Sequence, residues 1–207
     1  MFRKIFFPQT IQIKDNLYNT NITLIDHYPE PTVIVDGLIE SGRLLRQIWR
    51  TGITKLVEKH QEIKTILVLG VGGGSNVRLV SKLYPHAKIT AIEIDPQMVE
   101  LANKYFGLDK IKNLNLITQD AIKYVNNLQS IAYDLVLVDC FVGKNIPTNV
   151  QDLDFIKKLS QHSKNLLINR IWYNEHHPET VFFLRKMSSY FTCIKVHTPT
   201  NIIVKLI

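Results

Sequence analysis

Lys64-Thr-Ile-Leu-Val-Leu-Gly70-Val-Gly72-Gly73-Gly74-Ser75-Asn76 runs into Val77-Arg78-Leu79-Val80-Ser81-Lys82-Leu83 and then to Lys88-Ile-Thr-Ala-Ile-Glu93-Ile-Asp95. The first apolar run does not alternate, which suits a strand buried on both faces of a parallel sheet. A glycine cluster ends it, and the residues after the cluster are apolar at helical spacing. Strand, tight loop, helix and second strand make the first half of a doubly wound nucleotide-binding sheet. A carboxylate at the tip of the second strand, Glu93, suits a ribose.

Outward from this stretch the alternation continues. Strands are expected at 65–70, 88–94, 114–118, 133–139 and 165–171, with helices at 75–84, 96–106, 121–128 and 150–161. Asp95-Pro96 is a start signal, an N-cap followed by proline at the first helical position, and Gly107 is a stop. The tail holds a helix from about Glu179 to Tyr190 and two strands, 192–197 and 201–206. Ahead of the core, three short strands are expected around Ile11–Ile13, Ile22–Ile25 and Thr32–Val35, the last ended by Asp36-Gly37. A helix over 41–60, interrupted at Gly52, links them to the core. The expected organisation is thus a small β hairpin unit at 1–40, a linking helix at 41–63 and a Rossmann-like unit at 64–207.

The 207 residues are 45% hydrophobic and 21% charged, which suits one compact unit with a sizeable core. The apolar runs are strand-length, so no membrane partner is expected. The stretch Met1–Phe7 is too short in its apolar part for a secretory segment. Cys140 and Cys193 stand alone, and a reducing cytoplasm is the default. The charge of +7 is spread along the chain with no basic run, so a solvated basic surface is preferred to a nucleic-acid face. A homodimer stays open.

The loop Gly70-x-Gly72-x-Gly74 lets the backbone turn sharply and approach a ligand closely. A phosphate-binding loop would require Lys after the last glycine and is excluded by Ser75-Asn76. Each strand end carries an acid: Glu93 after the second, Asp120 after the third and Asp139 after the fourth. Asp120 is placed to meet an adenine amine, or else caps the helix from Ala121. Asp139 would lie near the reacting centre. Acids converging on a nucleoside suit a sulfonium and would repel a pyrophosphate.

These motifs resemble a known family. Leu69-Gly-Val-Gly-Gly-Gly74, Ile92-Glu-Ile-Asp95-Pro96, Gln119-Asp120-Ala121 and Tyr133-Asp-Leu-Val-Leu-Val-Asp139 look like successive motifs of class I S-adenosylmethionine-dependent transferases. They look specifically like the spermidine synthase-like branch. Leu166-Leu-Ile-Asn169, Thr200-Asn201-Ile-Ile-Val204 and Val35-Asp36-Gly37-Leu-Ile-Glu40 are similar to further segments of that branch. The resemblance spans roughly residues 20–207 in order. It implies a Rossmann-like class I methyltransferase fold in the strand order 3-2-1-4-5-7-6, a mostly parallel seven-stranded sheet with a terminal antiparallel hairpin. It implies S-adenosylmethionine, or its decarboxylated form in an aminopropyltransferase, as cofactor, with no metal. The cofactor residues it implies are Gly70, Gly72, Gly74, Glu93, Ile94, Asp120, Ala121 and Asp139.

The departures concern the acceptor. Aminopropyltransferases hold a polyamine with extra acids, but this chain has Ser75 after the glycines and Cys140-Phe141-Val142-Gly143 after Asp139. Glu40 stands where the branch has glutamine. A buried cation without paired acids is costly, so methyl transfer to a small-molecule acceptor is preferred to polyamine synthesis. A non-catalytic nucleoside-binding or scaffold module is a further alternative. Asp139 is the candidate base or acceptor-orienting group, and a purely cofactor-binding role is equally open. Glu40, Ser75 and Phe141 are candidate acceptor or cofactor contacts. Cys140 reads as a buried thiol, Trp49 as helix packing, Trp172-Tyr173 as surface loop and His176-His177 as a loop without metal spacing.

Overall fold

A computed structural model describes residues 7–14, 16–129 and 132–207; the reading of Met1–Phe7 falls almost wholly outside them. The chain begins with a four-stranded antiparallel sheet, β1 (Gln9–Lys14), β2 (Asn21–Asp26), β3 (Thr32–Val35) and β4 (Leu38–Ser41). The fourth strand was not expected. Asp36 and Gly37 have positive φ, so the chain does not stop at this pair but reverses through it, and β4 pairs Leu38 with Val35.

Helix α1 (Arg43–Leu56) follows, and it is continuous where an interruption at Gly52 was expected. The glycine marks a close approach instead. A Cβ there would lie 2.7 Å from Ile203 Cγ1, so the missing side chain lets α1 settle onto the sheet.

The second sheet is built from β5 (Thr65–Leu69), β6 (Lys88–Glu93), β7 (Leu114–Thr118), β8 (Leu135–Val138), β9 (Leu166–Ile171), β10 (Cys193–His197) and β11 (Asn201–Leu206). Its order, β10-β11-β9-β8-β5-β6-β7, is the one the resemblance implies. β5 pairs in parallel with β6 and β8, while β11 runs antiparallel between β9 and β10. The helices are α2 (Ser75–Leu83), α3 (Pro96–Phe106), α4 (Ala121–Asn126), α5 (Leu153–Gln161) and α6 (His176–Ser188). Helix α3 starts and stops as its sequence directs: Asp95 accepts from the Gln97 N–H, and Gly107 takes the left-handed conformation. The 150–161 segment opens with a 3-10 turn at Thr148–Gln151.

Both faces of the sheet are covered, which explains its unalternating strands. Ile66, Val68, Leu135 and Leu137 pack with Ile48, Trp49, Ile53, Val77 and Val80 on one face. Leu67, Leu69, Val136 and Val138 pack with Phe155, Ile156, Leu159, Phe183 and Met187 on the other. A third cluster ties the first sheet to α3 through Ile22, Leu24, Val33, Val35, Met98, Leu101 and Phe106. That contact sets the first sheet beside the carboxyl ends of β5 and β6. His176-His177, expected in a loop, form the first turn of α6. Pro178 is tolerated there because first-turn N–H groups have no helical partner to lose. Among the described residues no helix is long and apolar enough to cross a membrane.

Candidate functional site

The site lies where the doubly wound topology places ligands, outside the carboxyl ends of the parallel strands. β5 delivers the Gly70–Gly74 loop. Gly70 has φ +83°, and a Cβ on it would sit 2.2 Å from the Asp139 carbonyl oxygen. Only glycine therefore lets the loop pass the end of β8. The loop is then gripped from the next strand. Glu93 accepts from Val71 N and Gly72 N through Oε2, both at 2.9 Å, and from Asp95 N through Oε1 at 3.0 Å. Burial nevertheless raises the Glu93 carboxyl above its ordinary value, outweighing the three N–H groups.

A cavity above these strand ends is lined by Gly70, Gly72, Glu93, Ile94, Asp120, Ala121 and Asp139 from the sequence reading. Ile92, Met98, Ile122, Val142, Pro147 and Val150 supply its apolar walls. Asp120 is the cap of α4, accepting from Ile122 N and Lys123 N through Oδ1. Its Oδ2 has no partner among the described residues, so capping and ligand binding are compatible. Gly74 and Ser75 line neither this cavity nor its neighbour. Gly74 instead packs closely on Leu108. Ser75 is buried, accepting from Gly42 N at 2.7 Å and donating to Glu30 at 3.3 Å, so its hydroxyl serves the joint between β4 and α2.

A second cavity adjoins the first. Glu40, Asp139 and Phe141 line both and so form their junction. Beyond the junction the second cavity is lined by Leu38, Ile39, Leu44, Leu45, Ile48 and Ile171, with Asn169, Tyr173, Thr200 and Asn201 as its polar groups. Among the described residues no Lys, Arg or His lines either cavity, whereas Glu40, Glu93, Asp120 and Asp139 do. Such a pair of cavities favours a cationic ligand and repels phosphates.

The sequence singled out all three junction residues, but not the donors that surround Asp139. Asp139 Oδ2 accepts from Trp49 Nε1 at 2.7 Å and Asn76 Nδ2 at 3.2 Å, and Oδ1 accepts from Asn169 Nδ2 at 2.8 Å. Asn201 Nδ2 donates to Asn169 Oδ1, and Thr200 donates to Asn201. Trp49 is therefore more than helix packing: it is fully buried and reaches across to the end of β8. The available signal was a polar residue, Asn169, interrupting an apolar strand. Burial raises the Asp139 carboxyl, with the three donors pulling the other way. Glu40 is raised well above the carboxylate range, by burial first and then by the Asp139 and Glu93 charges. Burial, followed by the charges of Glu93 and Asp139, also pushes the Cys140 thiol far up, which suits an inert cysteine.

Asn19 is another residue the sequence did not single out. It lines the first cavity, donates to Asp95 Oδ2 at 2.8 Å and accepts from Gly143 N at 3.0 Å. It thereby joins the first sheet to the 141–149 loop across the cavity. Tyr173 lines the second cavity, while Trp172 packs edge-on against His177 and His197.

Residues 32–199 match the model of a family described as the spermine/spermidine synthase domain. The polyamine aminopropyltransferase of Vibrio vulnificus is 34% identical over 98 residues, 46% of this chain and 33% of that protein. An eEF1A lysine and N-terminal methyltransferase homolog of Drosophila melanogaster is 38% identical over 78 residues, 37% of this chain and 12% of that protein. The match thus spans a third or less of the length of these two curated relatives. Among solved structures, human methyltransferase-like protein 13 in complex with SAH has a TM-score of 0.68 at 19% identity, covering 80% of this chain and 82% of that one. A probable spermidine synthase from Corynebacterium glutamicum has a TM-score of 0.71 at 19% identity, covering 97% of this chain and 77% of that one. At these identities the structures speak for the fold.

Proposed function

The chain belongs to the spermine/spermidine synthase domain family, and on that premise we propose that it is an S-adenosylmethionine-dependent methyltransferase acting on an amine. A ribose hydroxyl would meet the open site on Glu93 Oε1, the adenine would sit among Ile94, Met98, Ala121 and Val150 with its amine toward Asp120, and the sulfonium would face the junction acids. Bound there, the cofactor supplies an electrophilic methyl group. The protein supplies a dry, anionic wall and holds the acceptor in line with the S–C bond.

One observation carries the choice of methyl over aminopropyl. Every acid of the acceptor cavity lies at its junction with the cofactor cavity, and the rest of its described lining carries none. One ammonium finds Glu40 and Asp139 there. The second ammonium of a diamine would meet leucine and isoleucine side chains and the neutral polar groups Asn169, Tyr173, Thr200 and Asn201, with no acid to pair it, a costly place for a charge. A single primary amine on an aliphatic stem suits these walls. The two curated relatives named above are, by name, transferases to polyamine in one case and to lysine and N-terminal amines in the other.

Aminopropyl transfer is the second reading, and it too has an observation behind it. Among the described residues no cationic side chain lines the cofactor cavity to pair the carboxylate of S-adenosylmethionine, and the decarboxylated donor lacks that group. Calorimetric titration with both donors, then mass spectrometry of reactions containing n-butylamine or putrescine, separates the two. N-methylbutylamine and S-adenosylhomocysteine are the expected products. Methylthioadenosine with spermidine would refute methyl transfer, and failure to bind either donor would refute the whole reading.

A further inference from the structure

Two carboxylates face the acceptor across the junction, and the protein treats them differently. Asp139 accepts three N–H groups, from Trp49, Asn76 and Asn169. Each carboxylate oxygen offers two lone pairs, so both sites on Oδ2 and one on Oδ1 are engaged by donors fixed on α1, α2 and β9. These fixed donors oppose the burial that raises Asp139, and they occupy three of the four sites at which it could take a proton. Glu40, on β4, lines both cavities, and its side chain has neither a hydrogen-bond donor nor an ion-pair partner among the described residues. A general base needs a free lone pair within reach of the proton it removes. Among the described residues all four Glu40 sites are free, whereas Asp139 keeps one of its four.

Resting on the transferase reading above, we propose that Glu40 is the base that takes the acceptor's proton, while Asp139 is a fixed negative charge that orients the acceptor. The titratable groups facing Glu40 are Asp139 at the end of β8, Glu93 at the end of β6, Asp120 and Cys140 around the cofactor cavity, and Tyr173 on the acceptor side. No Lys, Arg or His is among the described lining residues, so nothing in the cavity walls stabilises the Glu40 anion until a cationic ligand arrives. Burial and the Asp139 and Glu93 charges displace its carboxyl upward, which makes it a stronger proton acceptor than an ordinary carboxylate.

The step balances simply. The acceptor ammonium gives one proton to a Glu40 oxygen, and the freed nitrogen lone pair attacks the methyl carbon. The C–S bond breaks with its electron pair going to sulfur, leaving a neutral thioether and a secondary ammonium. Glu40 then releases its proton to water. The arrival of the sulfonium favours the Glu40 anion, so cofactor binding should expel a proton that the uncharged thioether S-adenosylhomocysteine does not.

Two arms test this. The first needs no acceptor: calorimetric titration of S-adenosylmethionine over a pH series from acid to alkaline in buffers of different ionisation enthalpy, with infrared difference spectra of the glutamate-labelled protein. Proton release and a protonated-carboxyl band are expected in the wild type, lost in Glu40→Gln and kept in Asp139→Asn. An ordinary carboxylate titration for Glu40, or release that survives Glu40→Gln, overturns the proposal. The second arm uses n-butylamine. Glu40→Gln should lower kcat about 100-fold or more and remove the acidic limb of the pH–rate profile, with S-adenosylhomocysteine affinity within about twofold of wild type. A kcat within about threefold of wild type would also overturn it. If the wild type binds S-adenosylmethionine but methylates no amine, the acceptor reading fails, and the first arm still decides whether Glu40 is the proton-exchanging group.

Discussion

Replacing Trp49 by Phe removes one hydrogen-bond donor from Asp139 and keeps an aromatic ring in the core. The lost bond is 2.7 Å long, buried and made to a carboxylate. Hydrogen bonds to charged groups are worth about 1.5–3 kcal/mol. The smaller ring leaves a void costing about 1 kcal/mol more. A total of about 3 kcal/mol is large but within the stability of an ordinary domain, roughly 5–15 kcal/mol, so the variant should fold. The sign of its pH dependence follows from linkage. Burial raises the Asp139 carboxyl, and the indole N–H opposes that rise. Without the indole N–H the folded-state value climbs further, so the penalty is larger at higher pH, where Asp139 carries its charge. It shrinks as acid protonates the group. Urea denaturation at pH 7.5 and pH 5 reads both quantities. A penalty at neutral pH below about 0.5 kcal/mol, the floor for a typical hydrogen bond, would refute the assignment of Trp49 as the anchor of a buried anion. So would a penalty independent of pH.

Glu40, Glu93 and Asp139 all have raised folded-state values, so the stability they contribute is present in acid and lost as pH rises through those values. Ligand-free protein should therefore unfold at higher urea near pH 5.5 than near pH 8, with S-adenosylmethionine narrowing the difference; a reversed trend removes the anionic cluster as its cause. Asp134 behaves oppositely. Burial alone would raise it, but Lys164 and the Lys64 and Thr65 donors outweigh burial and lower it to about 2, so its contribution is lost as pH falls from about 4 to about 2. Lys164 is largely exposed, and solvent screening reduces that contribution to roughly 1 kcal/mol. Asp134→Asn should raise the acid-unfolding midpoint unless the tie between β5 and β8 is inert. Gly70→Ala should weaken S-adenosylhomocysteine binding at least about 30-fold, because its Cβ meets backbone at 2.2 Å and the loop must shift. Gly37→Ala is strained by its positive φ but meets open space and lies outside the Gly70–Gly74 loop, so it should cost stability and weaken S-adenosylhomocysteine binding less than Gly70→Ala; equal loss in the two variants would count against a loop-built cofactor site.

The legible part of the fold lies where short-range physics decides. Unalternating apolar runs, a Gly cluster, the Asp95-Pro96 start and the Gly107 stop placed β5 to β9 and α3 within one or two residues. The cofactor-side acids were legible for the same reason, since each ends its own strand. What escaped involved partners far apart in the chain. Gly52 reads locally as a helix breaker and is a contact with Ile203. Ser75 reads as part of a ligand loop, yet its hydroxyl meets Gly42 and Glu30. Trp49, Asn76, Asn169 and Asn201 reach the junction from four different elements; Asn76, Asn169 and Asn201 sit in segments the sequence singles out, but their common target, Asp139 and its partner Asn169, is not legible there.

The succession of strands and helices along the chain, the glycine loop and the acids at the strand ends follow from the sequence, because periodicity and turn chemistry are properties of neighbouring residues, while the order of strands within the sheet was implied by the family resemblance. Which acid is free to accept a proton follows from neither. Asp139 and Glu40 are both carboxylates beside apolar strands. Only the folded chain puts an indole and two amides on one and, among the described residues, none on the other, because hydrogen-bond saturation depends on groups brought together from across the sheet.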